Sequence, residues 1–204
     1  MNDSFTVGFE FPQRPLCSAY RFVLFEAFPL EIQIDDVALE QTALWAVGVQ
    51  DDGQCEAAGV WATRSPSADW PVVFDNLAAR GVEQIHFVAN ADTTDLKSFL
   101  AGGHFNGAVK PQVLDRRCVS SCSPKHRRVL AAAETFSAML SRYAVRAIRR
   151  HGRFSSIEDA VAFLSASLDS AEQMLDSRWP TCDVGSRSHS TVREAVPVRL
   201  GRAV

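Results

Sequence analysis

Two short runs, TALWAVGVQ (42–50) and QCEAAGVWA (54–62), flank Asp51, Asp52 and Gly53. Both runs are apolar and rich in strand formers. Asp-Gly between such runs is a strong short-range signal for an antiparallel hairpin. A hairpin alone is marginal in water, so both strands must join a larger sheet. The chain has 204 residues, 47% of them hydrophobic and 22% charged, enough for one domain with a real core.

The flanking segments supply the rest of that domain. Residues 1–20 contain Pro12 and Pro15 without any period and are expected to be irregular. RFVLFEAFP (21–29) is an apolar run ending at Pro29, and a first strand is expected at about 30–35. Asp69 is an N-cap type of residue and Pro71 suits a first turn, so a helix is expected to start near Asp69. Trp70, Val73, Phe74 and Leu77 then fall on one stripe, and Gly81 ends the helix. QIHFVAN (84–90) reads as a fourth strand, and 94–101 as a short helix before Gly102 and Gly103. One weak strand is expected within 107–114. Pro124 to Arg150 has helical spacing. Ser155 and Glu158 form a capping-box pattern, after which Ile157, Val161, Leu164, Leu168 and Leu175 continue one helical face. Residues 177–204 are polar, unpatterned and expected to be disordered. Trp45, Trp61 and Trp70 are expected in the core.

Charge divides the chain. Residues 1–124 hold 8 basic and 16 acidic residues, whereas 125–204 hold 13 and 8. Arg142, Arg146, Arg149, Arg150 and Arg153 form a basic stripe suited to phosphate contacts, with a solvated helix face as the plain alternative. Five scattered cysteines argue against a disulfide framework. Cys118, Cys122 and His126 have zinc-like spacing but no fourth ligand, so loop thiols are the simpler reading. No run is long and apolar enough for a membrane span, and the start MNDSFTVGFEF lacks signal-peptide features; a cytoplasmic location, near the nucleoid, is expected.

The order strand, strand, strand, helix, strand, helix, weak strand, then helices predicts an α/β domain with a ribonuclease-H-like core. That core is expected over 21–124, with a C-terminal helical part over 125–176. Within EIQIDDVALE (31–40), Asp35 and Asp36 interrupt a strand-like run. Aspartate is a poor strand former, and a carboxylate near a core is costly unless paired or metal-bound. Asp92 lies just past the fourth strand. If the first and fourth strands run side by side and parallel, Asp35 and Asp92 are expected to converge on Mg²⁺ or Mn²⁺. Two such ions about 3.5–4 Å apart activate an attacking oxygen and stabilise a leaving one in phosphoryl transfer.

The stretch 47–82 resembles the bacterial transposases of the Mutator type, whose pattern is "GV..DG..E..G.W", then "S.S...W", then "L..RGV". The matches are Gly48, Asp52, Gly53, Glu56, Gly59, Trp61, Ser65, Trp70, Leu77, Arg80 and Gly81. Residues 148–173 are similar to the family's "RG.FPS.EAA..L...AL...E" segment. The resemblance implies a DDE recombinase core and metal-dependent DNA cleavage and strand transfer. It implies transposon ends and target DNA as partners, and homo-oligomers. It puts the first two catalytic acids on Asp35 and Asp92.

The departures are specific. VALEQTA (37–43) abbreviates the family's longer hairpin, Thr93 replaces a glycine, and CVSS (118–121) lacks a histidine. The third acid falls on Ala138 counting back from Phe154, or on Ser137 counting forward from Arg127 and Arg128. Glu134 is the nearest acid, about one turn and 5–6 Å earlier. Two alternatives therefore stay open. One is a catalytically dead remnant that binds DNA or protein. The other is an unrelated α/β enzyme using Cys55 or His86.

Overall fold

The computed structural model describes residues 14–34, 37–63, 66–90, 94–102, 111–114 and 123–176. Their order is β1 (Ala19–Ile34), β2 (Val37–Val49), β3 (Cys55–Thr63), α1 (Pro66–Ala79), β4 (Gln84–Asn90), α2 (Thr94–Ala101), β5 (Gln112–Val113), α3 (Pro124–His151) and α4 (Ile157–Asp176). The sheet order is β3-β2-β1-β4-β5. The pairs β1–β2 and β2–β3 are antiparallel, whereas β1–β4 and β4–β5 are parallel. This is the expected ribonuclease-H-like α/β arrangement.

Both faces of the sheet are covered, which explains why β1 to β3 read as nearly continuous apolar runs. On one face Phe22, Leu24, Trp45 and Val47 pack with Phe136 and Leu140 of α3 and Leu164 and Leu168 of α4. On the other, Val23, Phe25 and Leu44 pack with Trp70, Phe74 and Leu77 of α1 and Leu96 of α2. All three expected core tryptophans are buried.

Four boundaries differ from the sequence reading. β1 is one strand of 16 residues that runs straight through Pro29. Gln33 N–H donates to Phe154 O, and Phe154 N–H donates to Glu31 O. Odd-numbered residues here therefore turn their backbone groups away from β2. Pro29 shares that phase, and β4 has already ended on that side, so its missing N–H breaks no ladder bond. VALEQTA accordingly forms the first half of β2, which begins at Val37 instead of near Thr42. Next, α1 begins at Pro66 instead of near Asp69. Proline is favoured at a first helical position, and the Asp69 carboxylate is held by the Thr63 hydroxyl. Finally, the α4 cap is one residue later than Ser155 and Glu158. Ser156 Oγ accepts from Asp159 N–H at 3.1 Å, and Asp159 accepts from Ser155 N–H and Oγ–H.

α3 is bounded by its own chemistry. Ser123 Oγ accepts from His126 N–H, Pro124 opens the helix, and Gly152 closes it at φ 85°. His126 packs its ring against Phe22 and Phe87. Cys118 and Cys122 lie outside the described residues, as do the expected irregular start before residue 14 and the tail after 176.

Candidate nucleic-acid interface and the acids of the sheet

The parallel β1–β4 ladder runs from Ala19–Gln84 to Phe25–Asn90. Phe22 and Leu24 point to the α3 and α4 side, Val23 and Phe25 to the α1 and α2 side. Strand alternation therefore puts Glu26 on the α3 side, one residue past the last β4 pair. It is half-buried. Sequence reading missed Glu26 because Pro29 looked like a strand end. The usable signal was its position two residues after Leu24 in the same apolar alternation.

Asp35 and Asp92 both lie outside the described residues. Their described neighbours bear on the expected convergence. Ile34 is nine residues beyond Phe25, about 30 Å of extended strand. Asp92 is only two residues from Asn90, which pairs with Phe25. The ladder thus separates the flanks of the two aspartates by far more than a two-ion centre spans. The β1–β2 ladder closes at Ile34–Val37.

On α3 the third-acid positions are Ser137, buried, and Ala138, exposed. The Ser137 hydroxyl has no hydrogen-bond partner among the described residues. Glu134 is half-buried one turn earlier. Among the described residues no three His, Cys, Asp or Glu side chains gather where they could hold a metal ion. Mg²⁺ and Mn²⁺ need converging oxygen ligands.

Arg142, Arg146, Arg149 and Arg150 are exposed on the last three turns of α3. Arg142 to Arg150 spans about 12 Å of helix axis. Arg153 stands apart from them. It follows Gly152, pairs with Glu31 at 2.9 Å and donates to Gln33 Oε1 at 3.1 Å. It thereby helps fasten Phe154 beside Ile32 of β1. Between α3 and α4 lies a groove of about 370 Å³. Tyr143, Arg146 and Arg150 form one wall and Phe163, Ser167 and Ser170 the other.

The motif residues of the β2–β3 hairpin gather elsewhere, at the start of β1. Tyr20 OH donates to Glu56 Oε1 at 2.6 Å. A Cβ on Gly48 would overlap the Tyr20 ring, and one on Gly59 the Trp61 ring. The β2–β3 ladder slips at Ala58, a bulge on an edge strand. Arg80 donates to the Ala58 carbonyl and Arg14 to that of Ala57, while the Ala57 N–H donates to Glu172. Arg14 also contacts both Glu172 oxygens, at 3.0 and 2.8 Å. Burial alone would lower the Arg14 pKa, but the Glu172 hydrogen bond and neighbouring carboxylates raise it overall. Burial lowers that of Arg80. Burial, then the Glu56 hydrogen bond, pushes Tyr20 far above a free phenol. These residues cap the exposed edge of β3 and tie α4 to it, a structural duty.

Residues 6–163 match the family model described as Transposase, Mutator family. No curated protein matches the chain. Among solved structures, one similar chain comes from the cryo-EM structure of the simian T-cell lymphotropic virus intasome in complex with PP2A regulatory subunit B56 gamma. It is 8% identical, with a TM-score of 0.38, over 94% of this chain and 62% of that one. The chain thus spans less than two thirds of that neighbour's length.

Proposed function

The chain belongs to the Mutator family of transposases, and from that membership we propose that it is a DNA-binding member whose strand-transfer chemistry is impaired. One observation carries the reading. The same helix, α3, lacks an acid at Ser137 and Ala138 yet turns Arg142, Arg146, Arg149 and Arg150 outward. Guanidiniums on such a face hold phosphates by charge-assisted hydrogen bonds and release counterions from the duplex. Such contacts position the chain on DNA without reading its sequence. A transposon end, target DNA and a second copy of the chain are the partners this reading supplies.

In a complete site of this kind, a divalent ion pair activates the attacking oxygen and stabilises the leaving one. Here Glu26, the β1 acid level with the end of β4, joins Asp35, Asp92 and Glu134 as a candidate. Binding and cleavage are separable by experiment. Fluorescence anisotropy against duplex DNA at graded salt, with and without Mn²⁺, is expected to give steeply salt-dependent binding and no nicked product. Absence of binding at low salt overturns the proposal, and Mn²⁺-dependent nicking overturns the impairment.

A further inference from the structure

The α3–α4 groove has two chemically unlike walls. Arg146 and Arg150 sit one turn apart on α3 and are exposed. They present a dense set of N–H donors with positive charge. On α4, Ser167 Oγ–H donates to Phe163 O and Ser170 Oγ–H to Ala166 O, each at 2.8 Å. Their hydrogens are committed to the helix, so both oxygens face outward as acceptors. Two half-buried rings, Tyr143 and Phe163, flank the opening. Phe163 is braced by His151 and Phe154, with ring centroids at 4.5 and 5.6 Å. Alanines at 147 and 166 keep the space between the helices clear.

We infer that this groove accepts a single unstacked nucleotide, so that the chain prefers single-stranded DNA, or a frayed end, to intact duplex. The inference rests on the DNA-binding reading above and narrows its substrate. Arg146 and Arg150 hold the phosphate. The rings of Tyr143 and Phe163 offer faces to the base, and the serine oxygens accept from its amino or imino groups. Charged tracks combined with aromatic faces are how proteins bind single strands without sequence preference. A volume of about 370 Å³ lies at the small end of ligand pockets and suits one nucleotide. A base inside an intact helix cannot enter a slot between two α-helices, which leaves the duplex only the outer arginine face.

Anisotropy with a labelled single strand and with its blunt duplex, at matched salt, tests the inference. The wild type is expected to bind the single strand more tightly. Tyr143→Ala should weaken single-strand binding about tenfold, leave duplex binding unchanged and keep the salt slope. Tyr143→Phe, which retains the ring, should bind like the wild type. If Tyr143→Ala weakens both forms equally, or neither, the groove is not a base site. Competition on the wild type covers the case in which the alanine variant unfolds. Deoxyadenosine monophosphate should displace the single strand, whereas inorganic phosphate at equal ionic strength should not. Equal displacement by both overturns the inference. Loss of base discrimination with salt-dependent duplex binding intact removes this inference alone. No binding to either form removes the DNA-binding reading as well.

Discussion

Phe25 of β1 stands beside Asn90 of β4 in a parallel ladder, and this pairing makes Glu26 the β1 acid level with the end of β4. Glu26 is therefore a residue to change, beside Asp35, when asking whether metal binding survives. In thermal melts, Mn²⁺ is expected to leave the wild-type midpoint unmoved. A rise in that midpoint, abolished by Glu26→Gln and Asp92→Asn but retained by Asp35→Asn, would establish a metal site at the end of β4.

Salt dependence reports the arginine face. Each phosphate contact contributes about 0.9 to the slope of log K against log salt for duplex DNA. Replacing Arg142 and Arg149 by alanine together should reduce that slope by about 2 and weaken binding equally for unrelated sequences. Arg153→Ala should change the slope less, because its guanidinium already engages Glu31 and Gln33.

Alkaline pH should act through Tyr20. Its folded pKa is raised above the unfolded value near 10.0, first by burial and then by the hydrogen bond to Glu56. The unfolded state therefore loses this proton first. The contribution is fully present below about pH 10 and falls as pH rises toward the folded value, at no more than about 1.4 kcal/mol per pH unit. Urea midpoints measured above pH 10 should decline more steeply for the wild type than for Tyr20→Phe. Parallel declines would mean that Tyr20 is not held protonated.

Glu172 links α4 to the bulge of β3. It accepts from the Ala57 N–H and from Arg14, and it is 5% exposed. Glu172→Ala leaves a buried N–H and a half-buried guanidinium without this acceptor. The expected loss is about 2–3 kcal/mol, below the full cost of breaking a buried pair because Arg14 retains contact with water. Denaturant unfolding checks it, and a change within 0.5 kcal/mol would show that the tie is energetically idle.

Local pattern was enough for most elements. Apolar spacing located β4 and α2 to the residue and α3 to within one. It also named the α1 stripe of Trp70, Val73, Phe74 and Leu77, all buried in the fold. Those features depend on periods of about 2 and 3.6 residues, which a single chain carries in its own sequence. The glycines of the matched hairpin were visible too. Their reason was not, since Gly48 answers to the Tyr20 ring, a residue 28 positions away in the chain.

The amino-acid sequence by itself determined the family, the order of elements and the basic face of α3. Tertiary structure alone decided where Glu26 falls. Pro29 reads as a strand end until β4 is seen to stop at Asn90, after which its missing N–H faces no partner. That correction comes from register, the relation between two strands far apart in the chain, which no period within one strand encodes.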